Sequence, residues 1–268
     1  LYTKVYFIYM VYLLAAFCVI CLMILHLSDL SGPTAELGIA MFPLLNENLE
    51  YLYNISNSDG TVCHSVTFFQ KKLLISTGNK SLGIYDVLSK TNLKTISFPN
   101  IIRSIAIDKT SEKIYVLCLD QNVYETSSDL SKKEVIFTFN YNGSYNPQLA
   151  VSGDLIVIGN PSHKSGNFHQ LLVYSLTTGE SDYYYLDGVN WIRSICFHPD
   201  GDLLVLNYED GTVRKYSVYA DRKPKLVSTV SGLPKSSCYA MSVNSSGLIF
   251  VTSTSQKLHM IWKGEKAM

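Results

Sequence analysis

The sequence predicts an all-β fold of five repeated four-stranded sheets preceded by one apolar helix, and three observations carry that reading. First, a four-residue pattern recurs: small or polar, apolar, small, large apolar. Its copies are Ser65-Val66-Thr67-Phe68, Ser104-Ile105-Ala106-Ile107, Gln148-Leu149-Ala150-Val151, Ser194-Ile195-Cys196-Phe197 and Ala240-Met241-Ser242-Val243. The steps between their first residues are 39, 44, 46 and 46 positions. Second, every copy is followed by an apolar run and then by a third run with an aromatic near its end: Tyr85, Tyr124, Tyr174, Tyr216 and Trp262. One such unit cannot bury both its faces alone, so recurrence is what makes it foldable. Third, Val5 to Leu27 is 23 residues long, with His26 its only ionisable side chain apart from tyrosines and the thiols of Cys18 and Cys21.

The clearest unit is 191–218, WIRSICFHPDGDLLVLNYEDGTVRKYSV. Trp191 to Phe197 is a β-prone apolar run. His198-Pro199-Asp200-Gly201 is a turn in which Pro fixes φ and Gly supplies the positive φ. Leu203 to Leu206 is a fully apolar second strand. Asp210-Gly211 is a strong hairpin signal, and Thr212 to Val218 alternates as a third strand. With its F-x-P-D-G turn and D-G-T-V-R hairpin, this unit resembles one blade of a WD-repeat β-propeller, and the observed steps lie close to the roughly 40–45 residues per blade of that family. The resemblance covers Thr61 to Trp262. It departs from the family in having no Gly-His pair at a blade start, no Trp-Asp dipeptide, and a lengthened loop at Pro161 to Phe168. It implies a five-bladed β-propeller; a seven-bladed ring would need another chain to supply the remainder.

Taken in order, the chain divides into an anchor at 1–30, a linker at 31–47 and a propeller at 48–268. As a helix, Val5 to Leu27 would rise about 34 Å, enough for a hydrocarbon core of about 30 Å. A cleavable leader has an apolar core of only about 7–15 residues, so the stretch reads as a span that places residues 5–27 in a lipid bilayer. Lys4 before it, with Asp29 and Glu36 after it, orients the N-terminus to the cytosolic or matrix side and the propeller to the opposite side of an organelle or secretory membrane. Gly32-Pro33 breaks the linker. Leu49 to Tyr53 alternates as a strand with no blade of its own, while the fifth blade has little chain beyond Trp262. Pairing the two would place both termini in one blade and close the ring, removing unpaired sheet edges. Blades one to four supply their own outer strands near 93–98, 135–139, 183–186 and 226–230.

The 22 basic and 22 acidic residues cancel, which argues against a nucleic-acid partner. No nucleophile elbow, phosphate loop or paired-cysteine zinc signature occurs, and no cofactor is implied. His163 and His169 share one loop without a third candidate ligand. Asp59 and Asp108 flank innermost strands but form no recurring inward pair.

One set of positions is more suggestive. The residue before each copy is His64, Arg103, Pro147, Arg193 or Tyr239, and these open the innermost strands around the channel mouth. Guanidinium forks there could hold an acidic peptide or another anion. Alternatively, Arg103 and Arg193 pair with carboxylates such as Asp108 or Asp187 to join neighbouring blades. Trp191 beside them is either a binding anchor or a plug between blades. Cys63 and Cys238 would be neighbours across a closed seam, where a disulfide requires Cα atoms within about 7 Å. Asn54, Asn79, Asn142 and Asn244 begin glycosylation sequons.

The function expected from all this is non-catalytic: a single-pass, membrane-anchored propeller that binds proteins or scaffolds as an accessory subunit of a larger membrane complex. The rivals are a membrane-tethered propeller hydrolase and a lumenal receptor for an anionic ligand at the channel mouth.

Overall fold

A computed structural model describes residues 63–69, 72–77, 80–86, 89, 91–139, 147–160, 171–219, 222–254, 258–262 and 265–267. They form five four-stranded antiparallel sheets, each joining sequential strands in simple up-and-down order. Blade one comprises β1 (Cys63–Phe69), β2 (Lys72–Thr77), β3 (Ser81–Asp86) and β4 (Thr91–Ser97). Blade two comprises β5 (Ile102–Asp108), β6 (Lys113–Cys118), β7 (Asn122–Thr126) and β8 (Lys133–Thr138). Blade three has β9 (Gln148–Ser152), β10 (Leu155–Gly159), β11 (Leu171–Ser175) and β12 (Ser181–Tyr184). Blade four has β13 (Ile192–Phe197), β14 (Leu203–Asn207), β15 (Thr212–Ser217) and β16 (Lys225–Val230). Blade five has β17 (Cys238–Val243), β18 (Ile249–Ser253), β19 (Leu258–Trp262) and β20 (Glu265–Ala267).

The composition of each strand follows its radial place. Second strands lie inside the sheet and between two neighbouring sheets, so both faces are covered and the residues read as largely apolar runs, as they do in the third strand β11. LIVIG in β10, LLVYS in β11 and LLVLN in β14 are buried at every position. Each such Leu, Ile or Val contributes about 1.5–3 kcal/mol relative to an exposed one. Outer strands β4, β8 and β16 are mostly exposed, and they mix polar residues with exposed Leu93, Val135, Leu226 and Val227. Among the described residues, four apolar clusters fill the interfaces from blade one to blade five. The innermost strands contact in the same succession, β1 to β5, β9, β13 and β17.

The recurring pattern has a physical cause at its first position. The Ser104 hydroxyl accepts a hydrogen bond from the backbone N–H of Leu149 at 3.1 Å. Ser194 accepts one from Met241 at 3.2 Å. Leu149 and Met241 each belong to the next blade, and both serines are buried. A small hydroxyl residue therefore links successive innermost strands where a larger side chain would separate them.

The closure expected from the sequence is corrected. The fourth strand of blade five is β20, paired antiparallel to β19 through Met260–Ala267, Ile261–Lys266 and Trp262–Glu265. Since β19 already pairs with β18 on its other side, it has no edge left for Leu49 to Tyr53. Those residues, the linker and the anchor at 5–27 lie outside the described residues. Among the described residues, no helix is long and apolar enough to cross a membrane.

Candidate binding site

Four of the five positions singled out at the starts of the innermost strands prove structurally equivalent. The pairing of first with second strand shifts register between Cys63 and Ser65, Ile102 and Ser104, Ile192 and Ser194, and Cys238 and Ala240. The residue inside each shift is His64, Arg103, Arg193 or Tyr239. A bulge leaves one residue outside the ladder and re-aims its side chain, so these residues occupy one rim. Pro147, which has no N–H to donate, precedes the regular strand β9, and that blade has no bulge.

The rim is furnished most fully at blade four. The Arg193 guanidinium lies 4.1 Å from the Tyr239 ring centroid, 5.5 Å from that of Tyr208 and 5.7 Å from that of Trp191. Trp191 and Tyr208 stand 4.8 Å apart, and Tyr208 meets Tyr239 edge-on at 6.4 Å. All four side chains reach the surface, with Tyr239 the most exposed at 37%. Burial among the rings pulls the guanidinium below its ordinary pKa, while the phenols of Tyr239 and Tyr208 act in the opposite sense.

Backbone and side-chain bonds from three blades hold this cage. Asn160, at the end of β10 in blade three, brackets Ile192: its Nδ2 donates to the Ile192 carbonyl, and its Oδ1 accepts from the Ile192 N–H at 3.1 Å. Tyr208 donates its N–H to the Trp191 carbonyl at 2.9 Å and accepts at its own carbonyl from Ser236 N–H at 2.8 Å. The first of these links repeats as Leu119 to Ile101 in blade two and Thr254 to Ser237 in blade five, at 2.9 and 2.8 Å. The frame is therefore common, but the residues on it are not. Where blade four carries Trp191 and Tyr208, blade two carries Ile101 and Leu119, and blade five carries Ser237 and Thr254. The fold does not require aromatic side chains at these places.

Nearby carboxylates are engaged elsewhere. Asp210 accepts from Thr212 N–H at 3.0 Å, Thr212 Oγ1 at 2.7 Å and Arg214 at 2.9 Å. Partial burial acts against its charge, but these bonds hold its carboxyl below the usual range. Glu209 accepts from Asn190 Nδ2 at 2.6 Å. Asp108 serves its own turn, accepting from Thr110 and Ser111. The blade-joining arginine near Asp187 is Arg214, which donates to the carbonyls of Asp187 and Gly188. Among the described residues Arg193 has no ion pair and no hydrogen-bond acceptor.

Of the other expected site residues, Arg103 is half-buried on β5, and the side chain of His64 lies outside the described part. Cys238 is a free, buried thiol that packs with Leu204, Leu206, Val213 and Leu233 of the blade four to five core. Its Sγ–H points to the Pro234 carbonyl at 3.4 Å. It thus packs toward blade four rather than toward the seam where a bridge to Cys63 would be possible, and burial raises its pKa. Asn244 is half-buried, and its Oδ1 accepts from Ser246 N–H, Ser246 Oγ and Leu248 N–H. Asn54, Asn79, Asn142, His163 and His169 lie outside the described residues. Tyr208 and Asn160 were not singled out from the sequence. Tyr208 opens the turn that Asp210-Gly211 marks but is not itself part of that motif, and its only signal was the contrast with Leu119 and Thr254 at matching places.

Comparison with known proteins agrees with the architecture. The WD40 β-propeller domain of Doa1 matches with a TM-score of 0.56 and 20% identity, over 79% of this chain and 67% of that one. A chain of the nidogen/laminin complex matches with a TM-score of 0.58 and 13% identity, over 78% of this chain and 79% of that one. No family model and no curated protein sequence matches the chain. The fold is that of a β-propeller.

Proposed function

We propose that the chain is a non-catalytic, membrane-anchored propeller that binds proteins as an accessory or scaffolding subunit of a larger membrane complex. Its binding face is the rim around blades four and five. The observation that carries this reading is the aromatic cluster of Trp191, Tyr208 and Tyr239, set on a frame that other blades build with Ile101, Leu119, Ser237 and Thr254. Exposed Trp, Tyr and Arg are the residues that dominate protein interfaces, because they supply large, rigid contact area at small entropic cost. Packed neighbouring sheets hold them in place before binding, which lowers the ordering cost of association.

The anchor is residues 5–27, with the N-terminus on the cytosolic or matrix side and the propeller opposite. Its support is the length and apolarity of that stretch in the sequence.

The test is purification of the full chain in mild detergent, with identification of the chains that accompany it. Co-purifying membrane proteins that are lost on Trp191→Ala combined with Tyr239→Ala support the reading. A chain that emerges alone, or partners retained by the double variant, overturn it.

A further inference from the structure

Resting on that binding reading, we propose that Arg193 is the seat for a carboxylate of a partner's peptide chain, laid across the rim between Trp191 and Tyr239. The cage covers the guanidinium with π-faces and leaves its edge unspent. Tyr239 is at 4.1 Å and the other two rings are within 6 Å. Among the described residues no acceptor meets any of its N–H groups. A guanidinium presents donors in a planar fork that matches a carboxylate with two parallel bonds. Rings that exclude water around it lower the local dielectric and strengthen that pair.

The surroundings select the anion. Asp210 and Glu209 keep their carboxylates on Thr212, Arg214 and Asn190, so these neighbouring carboxylates do not fill the seat. One guanidinium, with the exposed Glu209 next to Tyr208, suits a single negative charge better than the nearly double charge of a phosphate. The flanking rings of Trp191 and Tyr239 would meet apolar or aromatic neighbours of the acidic residue.

The full chain in mild detergent is titrated with three fluorescein-labelled pools of short, acetylated and amidated peptides. They differ in one fixed residue, which is Glu, Gln or phosphoserine. The Glu pool is expected to bind about tenfold more tightly than the Gln pool, the change expected of one charge-assisted pair. Arg193→Gln should erase that difference, and Arg193→Lys, which keeps the charge but loses the fork, should retain only part of it. Trp191→Leu leaves the cation in place but opens the cage to water; it should reduce the preference, and it serves where Arg193→Gln does not fold. Equal binding of the Glu and Gln pools, no binding of any pool, or a preference that survives Arg193→Gln overturns the proposal. Tighter Arg193-dependent binding of phosphoserine than of Glu overturns the carboxylate in favour of phosphate. Partners lost from the Trp191/Tyr239 double variant while the Glu and Gln pools bind alike leave the binding face standing and remove the carboxylate.

Discussion

Blade two and blade four share a frame to the level of single hydrogen bonds and differ in what they place on it. In both, the turn after the second strand contains an Asp that accepts from the N–H two residues on, Asp120 from Asn122 at 3.2 Å and Asp210 from Thr212 at 3.0 Å. In both, a side chain on the third strand caps that Asp: Tyr124 Oη at 2.6 Å in blade two and Arg214 at 2.9 Å in blade four. Tyr124 then turns inward, its ring edge-on to Phe98 at 5.3 Å. Arg214 reaches outward to the carbonyls of Asp187 and Gly188. Blade two finishes as core, and blade four finishes as a surface with polar reach. The shared bonds define the fold, and the substitutions between them define the proposed binding face.

The largest expected test of this comparison is the residue after that Asp. Gly211 has φ +65°, and a Cβ there would collide with the Leu233 carbonyl. Gln121 takes the same conformation at φ 69° in blade two. Gly211→Ala is expected to cost about 3 kcal/mol in thermal or urea unfolding, from the left-handed strain and the collision together. Gln121→Gly should be close to neutral, because relief of strain offsets the added freedom of the unfolded chain. Similar losses for Gly211→Ala and Gln121→Ala would show that the approach of Leu233 is unimportant.

Next come the two caps. Arg214→Ala should cost about 2 kcal/mol, since it releases two loop carbonyls and Asp210 together. Tyr124→Phe keeps the ring against Phe98 and should cost only about 1 kcal/mol. Equal costs in urea unfolding would refute the difference in reach between them. The links between blades are expected to be alike: Ser104→Ala and Ser194→Ala should each lose about 1 kcal/mol by the same measurement. They should add in the double variant, because the residues share no partner.

The smallest contrast is in acid. In the turn after its first strand, blade four places Asp200 among Lys215, His198 Nδ1 and Asp202 N–H. Burial opposes its charge, but these partners bring its carboxyl down to about 2. Asp108 in blade two is likewise lowered by Ser111 and Thr110 against the effect of burial. A carboxyl whose folded pKa is depressed contributes stability above its unfolded value of about 4 and loses it as pH falls toward the folded value. Urea midpoints should therefore fall between about pH 5 and pH 2. Asp200→Asn and Asp108→Asn should each flatten part of that decline; an unchanged pH profile in both variants would sink the assignment.

Much of this was legible in the sequence. The five copies, their apolar second strands and the aromatics ending the third strands all lie where the repeat put them, because burial on both faces leaves a continuous apolar signature. The equivalence of His64, Arg103, Arg193 and Tyr239 followed from alignment alone, although the bulge that makes them equivalent did not. Outer strands were less legible. Solvent covers them, so composition says little, and β12 begins at Ser181 although the apolar signal begins at Tyr183. The same weakness hid β20: Glu265-Lys266-Ala267 has no strand propensity and pairs because β19 offers its backbone. Arg214 was read as part of a hairpin motif, but its reach to another loop depends on a fold that spacing does not convey. The proximity of Tyr208, Trp191 and Tyr239 depends on it equally.

Asn160 from the third blade, Trp191, Arg193 and Tyr208 from the fourth, and Ser236 and Tyr239 from the fifth are all needed to complete the cage. A tandem duplication that copied only 191–230 would therefore reproduce a sheet without reproducing the aromatic cage. Grafting the proposed seat onto another propeller would require a three-blade block, and loss of one contributor would weaken it while leaving the other sheets in place.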